Sequence, residues 1–212
     1  MDELKELYRG VVDGDAKLVR STTEAALARG VDPSVLLNDH MIPAMAEVGR
    51  RFEAGEYFVP ELLMAARAMK ASLEILRPLL AAGGSKPVAR VAIGTVKGDL
   101  HDIGKNLVSA MLEGGGFEVV DLGVDVPPEK FVGAVAQHRV SMVAMSALLT
   151  TTMLSMRLVI EALVSAGVRD QVKVMVGGAP ITQQFADEIG ADGYSASASG
   201  AVKIARQILG VS

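Results

Sequence analysis

Cysteine and tryptophan are absent from this sequence, and histidine occurs only at His40, His101 and His138. Without cysteine there can be no disulfides, thiolate zinc sites, iron–sulfur clusters held by the chain's own thiols, or cysteine nucleophiles. Imidazole chemistry has few candidates. No apolar run approaches the roughly 20 residues that span a bilayer, and no charged-then-apolar signal pattern opens the chain. The reading is therefore a cytoplasmic protein without a membrane partner. A strong excess of either charge is missing as well: 21 Lys and Arg against 25 Asp and Glu leave a formal net charge of -4. With no basic stripe, nucleic acid is not an expected partner. Aromatics make up only 4%, whereas 22 glycines and 11 methionines point to a flexible apolar interior and to close backbone approaches. Apolar residues are plentiful: they form half of the 212 residues, enough for one large or two small hydrophobic cores.

Residues 1 to about 81 read as helices alone. Asp13-Gly14-Asp15 ends a first helix and caps a second, which stops before Gly30 and Asp32-Pro33. A third helix follows Pro33, with Leu36, Leu37, Met41, Met45 and Val48 at helical spacing and Pro43 as a kink. The fourth starts near Pro60 and presents Leu62, Leu63, Ala66, Met69, Leu73 and Leu76. Four short amphipathic helices joined by tight connections make a bundle. The small-residue stretch Ala82-Gly83-Gly84-Ser85-Lys86-Pro87 is then a hinge, giving a helical domain over 1–83 and a second domain over 84–212. In the second domain short apolar runs alternate with helical segments: 88–95, 118–122, 141–147, 173–177 and a brief strand near Tyr194. Strands buried on both faces and separated by helices predict an α/β fold with a doubly wound parallel sheet.

In such a sheet, ligands bind beyond the carboxyl ends of the strands, where strand order reverses. Three segments fall on that edge: Gly98-Asp99-Leu100-His101-Asp102-Ile103-Gly104 after the first strand, Ser146-Ala147-Leu148 at the end of the third, and Gly177-Gly178-Ala179-Pro180 after the fourth. Asp99, two residues before His101, can hold one imidazole nitrogen and leave the other for a metal. A single histidine does not hold an aqueous ion tightly, but a metal already caged in a macrocycle needs only one protein ligand. Each segment also has an ordinary structural reading: a solvated loop histidine, a serine closing a turn, a glycine-rich strand-to-helix turn.

Taken together, in this order and spacing, the three segments resemble the signatures of the cobalamin-binding domain that holds its cofactor with the benzimidazole displaced and a histidine on cobalt. The helical part, including Tyr57-Phe58-Val59-Pro60-Glu61-Leu62-Leu63, is similar to the cap domain of methionine synthase and of corrinoid proteins in methyltransferase systems. The resemblance spans nearly the whole chain. It is greatest to the methylamine, methanol and methoxyaromatic corrinoid proteins. It implies a four-helix bundle cap before a Rossmann-like, flavodoxin-like cobalamin domain. The cofactor would be cobalamin, as methylcobalamin or a related corrinoid.

By this resemblance His101 is the metal ligand, and Asp99 its hydrogen-bonded partner. Thr152 stands where the third member of the ligand triad, a serine in methionine synthase, is expected. Asp102 and Ile103 complete the first signature. Ser146 would bond the benzimidazole nitrogen, Leu148 would pack beside that base, and Thr150 would make a further polar contact. Gly104, Gly177 and Gly178 would admit the nucleotide tail, with Tyr194 at its far end. Near Tyr194 related proteins often carry an aspartate, and Ser197 takes that place here. Phe58, Leu62, Leu63 and Met64 are the residues expected to shield the methyl group, with movement at Gly83-Gly84. His101 would join and leave the metal as the methyl group comes and goes, with proton uptake on the imidazole coupled to methyl departure.

The implied function is a methyl carrier, not catalytic alone. It would need a substrate:corrinoid methyltransferase, a corrinoid:acceptor methyltransferase acting on a folate or thiol, and a reductive activation protein. His40 and His138 read as structural or solvated. Three other readings share parts of the pattern. A cobalamin-dependent sensor usually adds an output module, and this sequence begins in the bundle and ends soon after the last helix. A radical mutase subunit does not need the bundle. A phosphoacceptor regulator wants an acidic residue where Ser146 stands.

Overall fold

The structure, a computed structural model, describes residues 2–83 and 87–211. Gly84, Ser85 and Lys86 of the expected hinge lie outside the described residues. The chain divides into two compact units, Met1–Pro87 with Ala110–Gly116, and Val88–Ser109 with Phe117–Ser212.

The first unit is built on α1 (Asp2–Val12), α2 (Ala16–Ala28), α3 (Pro33–Val35), α4 (Ile42–Glu53) and α5 (Val59–Ala82). Local chemistry sets the boundaries. The Asp15 carboxylate accepts the Leu18 N–H at 2.9 Å, and Asp32 accepts the Ser34 N–H at 2.7 Å, so both helices start on acidic caps. Glu61 reaches back to accept the Phe58 N–H at 2.9 Å at the head of α5.

Two expectations need correction. The fourth helix is not short: α5 runs for 24 residues and carries Pro78 inside it. Nor does Pro43 act within a plain α-helix. A π-helical segment, Leu36–Met41, joins α3 to α4, and the Ile42 N–H reaches back five residues to the Leu37 carbonyl. A proline has no N–H for the usual ladder and its ring crowds the preceding turn, and the widened turn just before Pro43 relieves both problems. Between the helices the bundle buries Leu7, Leu36, Met41, Met45, Leu62, Met69 and Leu76. A polar contact lies among them, where the Thr23 and Ser72 hydroxyls meet at 2.7 Å.

From Val88 on the chain follows the expected alternation: β1 (Arg90–Thr95), α6 (Ile103–Gly114, its end from Ala110 counted with the first unit), β2 (Glu118–Asp121), α7 (Pro128–His138), β3 (Met142–Ser146), α8 (Thr150–Ser165), β4 (Lys173–Gly177), α9 (Gln183–Ile189), β5 (Gly193–Tyr194) and α10 (Ala198–Leu209). All neighbouring strands are parallel, in the order β2-β1-β3-β4-β5. The order reverses between β1 and β3, which puts a crevice beyond their carboxyl ends. Register brings Thr95, Ser146 and Gly177 side by side on that edge. The core packs Phe131, Val143, Met145, Met156, Val159, Leu163 and Val174. β1, β3 and β4 are buried along nearly their whole lengths, which explains their continuous apolar runs. Among the described residues no helix is long and apolar enough to cross a membrane.

On the surface of α4, Glu47 accepts from Arg50 Nε at 2.7 Å and Arg51 Nε at 2.8 Å. The hydrogen bonds from Arg50 and then Arg51 pull its carboxyl from an ordinary 4.5 down to about 2. A folded-state value below the unfolded one stabilises the protein above about pH 4.5, and that contribution fades as pH falls towards 2. Urea midpoints measured across this window for wild type and Glu47→Gln are expected to differ most above pH 4.5 and to converge towards pH 2. Parallel curves would show that the arginine pair does not act through Glu47.

Candidate functional site

The loop after β1 carries the first signature. Its buried centre is Asp99, fully shielded from solvent, while the neighbouring His101 side chain is 52% exposed. One carboxylate oxygen of Asp99 faces the His101 Nδ1 at 2.6 Å and accepts the His101 backbone N–H at 3.1 Å. The other accepts the Leu148 N–H at 2.8 Å and the Thr152 hydroxyl at 2.6 Å. The Thr152 hydroxyl also lies 3.0 Å from the Leu149 carbonyl, but it has one proton, and the nearer, charged acceptor takes it.

Burial by itself would raise the Asp99 carboxyl. The hydrogen bonds from Thr152, Leu148 and His101 outweigh it and hold the group well below the usual carboxylate range. Asp99 is therefore a fixed anion. Donation of the Nδ1 proton to it leaves Nε2 with a free lone pair. The Thr95 hydroxyl, buried at the end of β1, donates to the His101 carbonyl at 2.8 Å and anchors the loop from below.

The structure thus joins three of the expected residues, His101, Asp99 and Thr152, in one hydrogen-bonded chain. Asp102, Ile103 and Gly104 follow at the start of α6, where Asp102 Oδ2 accepts from the Asn106 side chain at 3.0 Å. Ser146 ends β3, half-buried, and its hydroxyl has no hydrogen-bond partner among the described residues. Leu148 and Thr150 are exposed on the connection to α8 and its first residue. Gly177 and Gly178 follow on the same edge. Gly178 has φ +134°, and a Cβ there would collide with the Ala147 backbone, so the close approach of these two strand ends requires glycine. Tyr194 sits half-buried on β5, paired with Val176. Ser197, which stands in the expected aspartate's place, caps α10 by accepting the Gly200 N–H at 3.1 Å.

Of the cap residues named above, Phe58, Leu63 and Met64 are exposed on the helical unit, whereas Leu62 is fully buried within the bundle and cannot present its side chain to a ligand. His138, exposed, is the last residue of α7, and its carbonyl accepts from Arg90. His40 lies half-buried in the π-helical segment.

Three observations indicate what this edge could hold. Among the described residues no three His, Asp or Glu side chains are grouped to bind a metal ion, so His101 suits a metal that brings its other ligands with it. Leu100 and Ile103, 73% and 76% exposed, belong to the His101 segment, and Leu148 and Leu149, exposed as well, belong to the connection whose Leu148 N–H bonds Asp99, so open apolar side chains are concentrated on these two linked segments. At Gly104 a Cβ would meet nothing within 4 Å, so packing inside the chain does not explain glycine there. A large, partly apolar ligand with its own metal cage fits all three. Sequence spacing alone found the Asp99–His101 pair, whereas the role of the Thr95 hydroxyl went unnoticed because a buried threonine in a strand reads as core.

Comparison with known proteins gives the same picture. Residues 89–203 match a family described as the B12 binding domain, and residues 3–77 match a second family of that description. The chain is 45% identical over 201 residues to trimethylamine corrinoid protein 1 of Methanosarcina acetivorans, covering 94% of this chain and 93% of that protein. It is 44% identical to the dimethylamine corrinoid protein of Methanosarcina barkeri, covering 97% of each. Among solved structures, a chain of the methanol:cobalamin methyltransferase complex from Methanosarcina barkeri aligns with a TM-score of 0.88 at 32% identity, over 100% of this chain and 81% of that one. A cobalamin-binding protein from Desulfitobacterium hafniense aligns with a TM-score of 0.79 at 34% identity, over 97% and 98% of the two chains.

The Asp99–Thr152 bond should be measurable without any cofactor. Thr152→Val keeps the volume and removes the donor, and is expected to cost about 1.5–3 kcal/mol, the usual worth of a hydrogen bond to a charged group. Thr152→Ser is expected to retain most of it. Urea unfolding of the cofactor-free protein measures both, and equal midpoints for wild type and Thr152→Val would show that the bond adds nothing.

Proposed function

The chain belongs to the B12-binding corrinoid proteins, and from that premise we propose that it carries methyl groups between methyltransferases and that His101 would be the residue that holds the cobalt of its cofactor. The observation behind the ligand assignment is the 2.6 Å contact that engages Nδ1 of His101 with the buried Asp99 carboxylate and leaves Nε2 available on a half-exposed side chain. Bound cobalamin supplies a metal centre that accepts a methyl group from one partner and yields it to another.

The chain's own residues do the holding. Asp99 fixes the imidazole tautomer and strengthens its donor nitrogen, and Thr152 and the Leu148 N–H keep Asp99 ionised and in place. Ser146, whose hydroxyl has no partner among the described residues, would donate to a nitrogen of the cofactor's benzimidazole base. Leu148 would pack beside that base, and Thr150 would add a polar contact. Gly104, Gly177 and Gly178 would leave room for the nucleotide tail, and Tyr194 would border its far end. Asp102 and Ile103 shape the rim next to His101.

For the methyl donor we infer a methylated amine. The tri- and dimethylamine corrinoid proteins match at 42–48% identity in sequence, and among the solved structures a monomethylamine corrinoid protein is 36% identical against 32% for the chain of the methanol complex. The partners are then an amine:corrinoid methyltransferase, a second methyltransferase acting on a folate or thiol, and a reductive activator.

Full-length protein reconstituted with methylcobalamin tests this reading. His101→Ala is expected to change the visible spectrum of the bound cofactor and to lower methyl transfer at least tenfold. An unaltered spectrum and rate would remove the metal-holding role of His101. A screen of trimethylamine, dimethylamine and methanol, each with its methyltransferase, is expected to favour an amine, and transfer only from methanol would reverse that assignment.

A further inference from the structure

The loop after β2, residues 122–127, lies outside all three signatures, yet it is bonded repeatedly to the loop that bears His101. The Thr95 N–H donates to the Gly123 carbonyl at 3.0 Å, and the Val126 N–H to the Thr95 carbonyl at 2.9 Å. At its near end, the buried Lys105 amine of α6 donates to Asp121 at 2.6 Å. Between these anchors stands Asp125, whose carboxylate accepts the Gly98 N–H at 2.7 Å while its own N–H donates to the Asp99 carbonyl at 3.0 Å.

Asp125 makes both bonds from φ +51°, in the left-handed region that side chains rarely adopt. Arg139 is the other non-glycine residue in that region among the described residues, and it simply closes α7. Asp125 ends no helix. Gly98, its partner, has φ +86°, so the two facing residues adopt matching unusual conformations directly before Asp99. Strain of this kind persists only where surrounding bonds hold it, and it gathers at functional sites.

We propose that Asp125 is a positioning residue for His101: it clamps Gly98 and Asp99 so that the His101 imidazole is held ready for the metal. The inference rests on the proposed metal-holding role of His101. Asp125 acts through the loop and touches no reacting atom.

Three variants of the full chain separate acceptor from backbone conformation. Asp125→Asn keeps an oxygen acceptor and tolerates φ > 0. Asp125→Gly removes the acceptor but also the strain, and Asp125→Ala removes the acceptor and keeps the strain. Amide exchange by NMR in the cofactor-free proteins is expected to be about tenfold faster at Gly98 to His101 in the Gly and Ala variants, the effect of losing roughly one good hydrogen bond, and unchanged in Asn. With methylcobalamin bound, Gly and Ala are expected to shift the visible spectrum towards that of His101→Ala, and Asn to match wild type. Wild-type exchange and spectra in Gly and Ala would overturn the clamp, as would an Asn variant that behaves like Ala. If wild type itself matches His101→Ala, the metal-holding role of His101 fails, and the inference with it.

Discussion

A buried carboxylate without partners would be too costly to keep, and Asp99 is kept because four donors converge on it. Those donors come from two separate stretches. His101 belongs to the loop after β1, whereas Leu148 and Thr152 belong to the connection after β3 and the start of α8. β1 and β3 are adjacent, and the strand order reverses between them, so their following segments diverge and open the crevice. The Asp99 carboxylate spans that divergence, and the geometry of the edge depends on it. Loss of any one donor leaves an anion with fewer bonds in a place water does not reach.

This explains how a half-exposed imidazole can be held by a buried support. The ring is open to solvent, and its inner supports are not: Asp99 is shielded, Thr152 is nearly so, and Thr95 holds the His101 carbonyl from the end of β1. A ligand arriving at Nε2 meets a nitrogen whose direction has already been set, so little ordering cost falls on binding. The exposed leucine and isoleucine side chains around it then offer apolar contact to the same ligand.

The strands were readable because β1, β3 and β4 are buried on both faces, which forces continuous apolar runs bounded by glycine, proline and polar turns. The Asp99–His101 pair was readable because a spacing of two in a loop permits direct contact. Thr152 was a different matter: 53 residues separate it from Asp99, and only the likeness to a known family pointed to it. The π-helical turn before Pro43 escaped because a proline marks where a helix must adjust but not how. Leu62 was misjudged since Leu62 and Leu63 are consecutive in one apolar helix, and the rotation that buries one and exposes the other is fixed by packing. Asp125 gave no signal, because an aspartate between valines after a glycine is an ordinary loop residue until its φ and its partner are known.

Asp99 and Asp125 show two different ways of holding a loop, and the difference follows from where the ligand must come. The inner side of the His101 loop can be buried, so a shielded anion with several donors does the work there at high energetic stake. The outer side must stay open, which rules out packing as a restraint. What remains available is a bond from a neighbouring loop, made by an exposed side chain whose acceptor is aimed by an unusual backbone conformation. Such a contact contributes little to the stability of the fold, since water competes for both groups, but it narrows the conformations of Gly98 and Asp99. A loop proposed to carry a metal ligand needs the second property more than the first, because an imidazole displaced by an ångström would lose such a bond even when the protein remains fully folded.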